Sequence, residues 1–216
     1  MTKSARSLVH WVRHGENLAN LSGQFSNRKI DFDLTEKGVT QATQVAEFLA
    51  RQNLGPGSVF ASPLRRAVQT GEIIAGRLGR SVEILEDLRE VDLGDLEGRS
   101  DADAMVLYWD VLSSWRQGDR ARAFPGGENH LSMAARIQAA LDQVTRETSG
   151  GPSVIAAHAG LLRAGFTHLL DDPFPMKITI PNCSVSRLVI SDEGRLHFDY
   201  VARSDFLTQA TDGKGA

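Results

Sequence analysis

The chain has 216 residues, 41% apolar and 24% charged, a composition that suits a globular protein with one sizeable core. A net charge of −3 gives no overall basic field for nucleic acid or an anionic membrane, and one cysteine, Cys183, excludes an internal disulfide and a thiolate metal cluster. No apolar run reaches transmembrane length and the polar start, residues 1–6, lacks a signal-peptide pattern, so a cytoplasmic location is the default expectation.

Residues 8–12 form a short apolar run suited to a buried strand, and it ends abruptly in Arg13-His14-Gly15-Glu16. Residues 17–33, with Gly23, Gln24, Ser26 and Asn27, read as a loop with room for a helical turn. Thr35 then caps a helix whose apolar face is Val39, Ala42, Val45, Ala46 and Leu49. Gly55-Pro56-Gly57 closes that unit, and 58–61 is a short strand. Ser62-Pro63 predicts the next helix start, a capping serine with proline at the first position. That helix runs to Gly79, and 82–85 is a strand. Residues 88–94 are charged and turn-like, fitting neither strand nor helix well. Residues 101–115 predict a helix carrying Tyr108, Trp109 and Trp115, whose tryptophans read first as core. The loop Phe124-Pro125-Gly126-Gly127-Glu128 leads into a helix over 131–147, broken by Gly150-Gly151-Pro152. Residues 153–157 predict a strand ending in His158-Ala159-Gly160, followed by a helix over 161–170. Residues 184–190 and 196–201 are strands joined by a hairpin turn, and the tail, 209–216, is small and polar and is expected to be loose. Strands alternating with helices predict one α/β domain with a largely parallel sheet.

A cation, an imidazole and a glycine at a strand's carboxyl end suit a ligand site better than packing. His14 can be a nucleophile, a proton carrier or a metal ligand. The metal reading is weak, for there is no His-Glu-x-x-His helix and no cysteine pair. A nucleophile elbow, a Walker loop and a dinucleotide fingerprint are absent too. A histidine attacking phosphorus would need donors for the phosphoryl oxygens. Arg13 is adjacent, Arg65 and Arg66 open a helix, His158 ends a second strand, and the backbone of Ala159 and Gly160 can approach closely. A leaving alkoxide needs a proton, for which Glu90 is the candidate and Glu97 and Glu128 the alternatives.

Arg13-His14-Gly15-Glu16 with Asn20 resembles the signature of the histidine phosphatase superfamily, the phosphoglycerate mutase-like family. The resemblance continues in order through Asp33-Leu34-Thr35-Glu36-Lys37-Gly38, Ser62-Pro63-Leu64-Arg65-Arg66-Ala67, Leu88-Arg89-Glu90 with Gly94, Pro125-Gly126-Gly127-Glu128, His158-Ala159-Gly160 and Asn182-Cys183-Ser184. It implies a three-layer α/β/α sandwich with a mostly parallel central sheet, and one such domain over 1–216 with a variable cap at about 99–127. It implies His14 as nucleophile, Arg13, Arg66 and His158 around the phosphate with Asn20 and Ala159 beside them, and Glu90 as proton donor. Arg66, rather than Arg65, aligns with the family's arginine, and neighbours on a helix point about 100° apart.

Three positions depart from the family's pattern: Asn17 for threonine or serine, Ala159 for the commoner glycine, and Asn129 for serine. Family mutases carry Arg-His-Tyr-Gly after the acid, whereas Glu90 is followed by Val91-Asp92-Leu93-Gly94, with no cation. The expectation is therefore a phosphomonoester hydrolase acting through phosphohistidine on a small phosphorylated metabolite, with no cofactor or metal. The alternatives are a mutase and a phosphate-binding module without turnover. Exposed cap aromatics leave room for a homodimer. Glu16 and Arg163 read equally as supports of the site or as surface charges, and Arg136 equally as a support of the site or as part of a structural ion pair. His10 reads as a packed or edge histidine, and His130 as solvent-exposed more readily than substrate-touching.

Overall fold

Strand β1 (Ser7–Arg13) is central because its apolar side chains serve both faces of a sheet: Val9 and Trp11 enter one core and Val12 the other. The computed structural model describes residues 7–52, 54, 57–149, 151–172 and 174–208. The breaks expected at Gly55, Pro56 and Gly150, the polar start and the tail lie outside them. Among those residues the sheet has six strands in the order β3 (Val82–Ile84), β2 (Ser58–Ala61), β4 (Ser153–Ala157), β1, β5 (Val185–Ile190), β6 (Leu196–Arg203). β3, β2, β4 and β1 pair in parallel, whereas β5 runs antiparallel to both β1 and β6. The sheet is mostly parallel with an antiparallel margin, as expected where a hairpin ends the chain.

Helices cover both faces, making three layers. On the Val12 side, α2 (Glu36–Ala50) contributes Ala42, Val45, Ala46, Phe48 and Leu49, and α3 (Arg65–Leu78) contributes Ile74 and Ala75. On the Trp11 side, α5 (His130–Glu147) buries Met133, Ile137, Ala140, Leu141 and Val144 against Leu161, Leu162 and Phe166 of α6 (Ala159–Leu170). Val39 has the right periodicity for the α2 face but lies in the first turn and is 45% exposed. α4 (Ala102–Arg116) joins the Trp11-side core through Ala104, Val111, Leu112 and Trp115. Trp109 does not follow its neighbour inward and stays half-exposed, with the Arg116 guanidinium against its ring. No helix among the described residues is long and apolar enough to cross a membrane.

The register of the parallel strands builds the site. Arg13 pairs with Ala157, and Ala61 with Ala156, so β1, β4 and β2 end side by side. The next residues are His14, His158 and Ser62. The His14 amide donates to the Ala157 carbonyl at 2.9 Å, and the Ser62 amide to the Ala156 carbonyl at 3.0 Å. Three polar side chains therefore converge at the carboxyl edge of the sheet.

Candidate active site

His14 is buried, and its two ring nitrogens have different partners. Nδ1 lies 2.7 Å from the Gly15 carbonyl, which can only accept, so Nδ1 carries the proton. Nε2 then holds the lone pair, and Arg66 Nε donates to it at 3.2 Å. Burial, then the positive charges of Arg66 and Arg13, hold His14 well below the ordinary histidine range. The imidazole is neutral, with its Nε2 lone pair turned to Arg66.

The turn carrying His14 is pressed against α2. A Cβ on Gly15 would lie 2.5 Å from the Gly38 carbonyl oxygen, and one on Gly38 would lie 2.1 Å from that of Glu16. Only glycine at both positions allows this approach. Thr35 caps α2 as expected, its Oγ1 accepting from the Gly38 amide at 3.0 Å. The Gly15 amide donates to Thr70 Oγ1 and the Glu16 amide to Gln41 Oε1. The Glu16 carboxylate pairs with Lys37 and accepts from Thr35 Oγ1, away from the imidazole.

The expected Ser62 cap does not form. α3 starts at Arg65 with Leu64 at its N-cap and no side-chain cap bond from within the segment. Asp31 does the capping from a distance: its Oδ2 accepts from the Arg65 amide at 2.7 Å, and its Oδ1 pairs with Arg66 Nη1 at 3.2 Å. Asp31 therefore orients the arginine that touches His14. The two arginines diverge, Arg66 being 3% exposed on His14 while Arg65 forks onto Asp33 at 2.8 and 2.7 Å. Sequence reasoning missed Asp31, which carries no local signal because its partners lie more than thirty residues away.

Arg13 donates from Nη1 to the Ile180 carbonyl at 2.7 Å, and burial, opposed by Glu90, pulls its guanidinium down to about 10. His158 is fully buried, its ring tilted against that of His14 with centroids 5.1 Å apart. Its Nε2 lies 2.7 Å from Ser62 Oγ. Burial, then Arg66, holds it well below the ordinary histidine range too.

Glu90 reaches the cleft from the segment between the 3-10 turns Glu86–Leu88 and Gly94–Leu96. Its Oε2 accepts from the Gly160 amide at 2.9 Å, and its Oε1 from the Leu161 and Val91 amides at 2.7 and 2.9 Å. Two of those donors are amides of the first turn of α6 that have no partner within the helix. A Cβ on Gly160 would lie 2.6 Å from Glu90 Oε1, so glycine there is what lets the carboxylate seat.

Arg13, His14, Asn17, Ala19, Asn20, Gln24, Ser26, Asn27, Arg66, Glu90 and Ala159 line one cleft of about 360 Å³. It collects His14, Arg13, Arg66, Glu90, Asn20 and Ala159, and His158 lies behind it against His14. Asn17 takes over the cap of α1 (Leu18–Ser22): it accepts from the Asn20 amide while Asn20 Oδ1 accepts from its own. Asn182 Nδ2 bridges the His14 carbonyl and Asn20 Oδ1, and so gives the late Asn-Cys motif a structural purpose. Asn129 likewise caps α5 through the Ser132 amide.

The alternative acids are engaged elsewhere. Glu97 accepts from four consecutive amides, Asn27 to Ile30, at 3.0 to 3.2 Å, and so shapes the loop over the cleft. Glu128 pairs with Arg136 at 2.8 Å and Arg28 at 3.1 Å and accepts from the Asp92 amide. His130 is not solvent-exposed but 1% accessible, edge-on to Trp115, and burial lowers it to about 4. Tyr108 packs on Phe25 with ring centroids 5.0 Å apart and so joins α4 to the cleft loop. Arg163 lies one turn beyond Ala159 on the same face of α6, close enough to the Tyr108 hydroxyl to act on its ionisation. It has no carboxylate within 4 Å among the described residues.

Residues 9–200 match the model of the histidine phosphatase superfamily, branch 1. A probable phosphoglycerate mutase GpmB from Erwinia tasmaniensis is 34% identical over 186 residues, 83% of each chain. Among solved structures, "Mycobacterial hydrolase 1" superposes with a TM-score of 0.80 at 28% identity, covering 92% of this chain and 99% of that one. A mycobacterial glucosyl-3-phosphoglycerate phosphatase complexed with VO3 gives 0.80 at 27% identity, covering 92% and 100%. The sheet order, the strand-end histidines and the match over nearly the whole length agree: the chain belongs to branch 1 of the histidine phosphatase superfamily.

Proposed function

We propose that the protein is a phosphomonoester hydrolase that works through a phosphohistidine at His14. The observation that carries this reading is the neutral His14 with its Nε2 lone pair held by a buried arginine, in one cleft with Arg13 and Glu90. In the first half-reaction Nε2 attacks phosphorus, the P–O bond to the leaving group breaks, and that oxygen takes a proton from the Glu90 carboxyl. In the second, water attacks phosphorus, Glu90 takes its proton, the P–N bond breaks and phosphate leaves. Arg13 and Arg66 offset the charge of the transferring group, and Arg66 moves its Nε–H from His14 to a phosphoryl oxygen as the substrate enters.

Hydrolysis is favoured over mutase chemistry by the supply of cations. A mutase must also hold a second phosphoryl group, and the cleft lining has two arginines, Arg13 and Arg66. Arg89, beside the acid, is paired with Glu86, and Arg28 with Glu128. The proposal leads to steady phosphate release from p-nitrophenyl phosphate, abolished in His14→Ala. Interconversion of phosphoglycerates that needs a bisphosphoglycerate, without net phosphate release, would overturn it. Arg163, half-buried one turn beyond Ala159 and with no carboxylate within 4 Å among the described residues, is a single further cation: it suits a leaving group that bears one carboxylate and falls short of the cluster a second phosphoryl group needs. That chemistry is shared by the phosphoglycerate and glucosyl-3-phosphoglycerate in the relatives' names. The test compares 3-phosphoglycerate with glycerol 3-phosphate: Arg163→Met lowers the kcat/KM preference for the carboxylate about tenfold or more, as loss of one charge-assisted bond implies. An unchanged preference refutes the assignment.

A further inference from the structure

We propose that Ser62 is a positioning residue that fixes the tautomer of His158, so that His158 presents an Nδ1–H donor to the phosphoryl group as an uncharged ring. The inference rests on the phosphoryl-transfer reading above and adds the state in which the second histidine works.

Burial of this pair lets its protons be counted. Ser62 and His158 are both 0% exposed. Ser62 Oγ has two partners: the Leu64 amide, which can only donate, at 3.3 Å, and His158 Nε2 at 2.7 Å. His158 Nδ1 is buried and has no partner among the described residues. If Nε2 carried the proton, Ser62 Oγ would accept from both neighbours and its own hydroxyl proton would have no acceptor. His158 Nδ1 would then hold a buried, unpaired lone pair as well. Two buried groups would be left unsatisfied, each costing about 1–3 kcal/mol. If Ser62 donates to Nε2, every group is satisfied except one, the Nδ1–H. The second arrangement wins, and it leaves a buried donor beside the nucleophile that lacks only an acceptor.

A doubly protonated ring is disfavoured by its neighbours. Arg66, Arg13 and Arg136 and the ring of His14 act on His158, and no carboxylate lies within 4 Å of it among the described residues. A third cation is therefore not supplied from this position. The acceptor we assign to this Nδ1–H is a phosphoryl oxygen on His14, whose ring centroid lies 5.1 Å from that of His158. Ser62, read from sequence as a helix cap, serves the chemistry through its neighbour.

Nitrogen-15 NMR of histidine-labelled protein, with vanadate as the phosphoryl mimic, tests this. In the wild type His158 has a protonated Nδ1 and a bare Nε2 from about pH 5 to 8, with no transition near the usual histidine value. In Ser62→Ala the tautomers mix and vanadate binds about tenfold more weakly, while Ser62→Thr, which keeps the hydroxyl, restores both. An Nε2–H tautomer or an imidazolium in the wild type overturns the proposal, whether or not either variant folds. A tautomer unchanged by Ser62→Ala also overturns it. Absence of vanadate binding with the Nδ1–H tautomer in place would instead overturn the phosphoryl-transfer reading, and His158's role with it.

Discussion

Replacing Gly160 by alanine separates two opposing effects. Glycine in a helix is less favourable than alanine by up to about 1 kcal/mol, so on helix propensity alone Gly160→Ala stabilises α6. The new Cβ, however, would lie 2.6 Å from Glu90 Oε1 and 3.0 Å from its carboxyl carbon. The carboxylate has to move, and it gives up its bonds from the Gly160 and Leu161 amides at 2.9 and 2.7 Å. A bond to a charged group contributes about 1.5–3 kcal/mol, and a displaced acid no longer meets the leaving oxygen squarely. A loss of about 2–3 kcal/mol in the transition state lowers kcat about 30- to 150-fold. The assay is steady-state phosphate release from p-nitrophenyl phosphate beside a thermal melt. A Gly160→Ala protein with a higher Tm and kcat within about twofold of wild type would refute the view that this glycine exists to seat Glu90.

Acid should weaken the fold through its buried histidines. His10 is fully buried, and burial lowers it to about 4, against 6.5 for an exposed ring. Between those values the unfolded chain binds a proton that the folded chain does not, so stability is intact above about pH 6.5 and is lost as pH falls toward 4. Across that range the loss amounts to about 3 kcal/mol. His14, His130 and His158 shift the same way. Urea titrations from pH 7.5 to 4.5 measure this, and His10→Leu should flatten the slope by about one proton; an unchanged slope would contradict it. Glu97→Gln replaces one acceptor oxygen with a donor under the amides of residues 27–30. Because Asn27 lines the cleft, KM rises about tenfold with a smaller change in kcat, as loss of bonds worth about 1–2 kcal/mol implies; an unchanged KM counts against it.

Most elements were legible because each has a local cause. The run before Arg13 alternates between two faces, Thr35 is a cap with its partner three residues on, and Gly79 sits where α3 stops. The convergence of His14 and His158 was legible too, since both follow short apolar strands of a parallel sheet. The misses share another cause, dependence on distant contacts. Ser62 looks like a cap, but Asp31 occupies that position and the hydroxyl turns to a histidine 96 residues away. Glu97 and Glu128 resemble spare acids until the amides and arginines that hold them are seen. His130 follows a polar loop and looked exposed, yet the first turn of α5 carries it under Trp115. Periodicity reports which face a residue shares, not which element covers that face.

The central claim is that phosphate is held on His14 Nε2 between two steps. Its direct test is trapping with 32P-labelled substrate on Glu90→Gln, which slows attack by water, followed by an alkaline detergent quench and peptide mapping. The account predicts label on the peptide containing His14, stable to alkali and lost in acid, and absent from His14→Ala. Phosphate release by the wild type with no alkali-stable, acid-labile label at any time would contradict it.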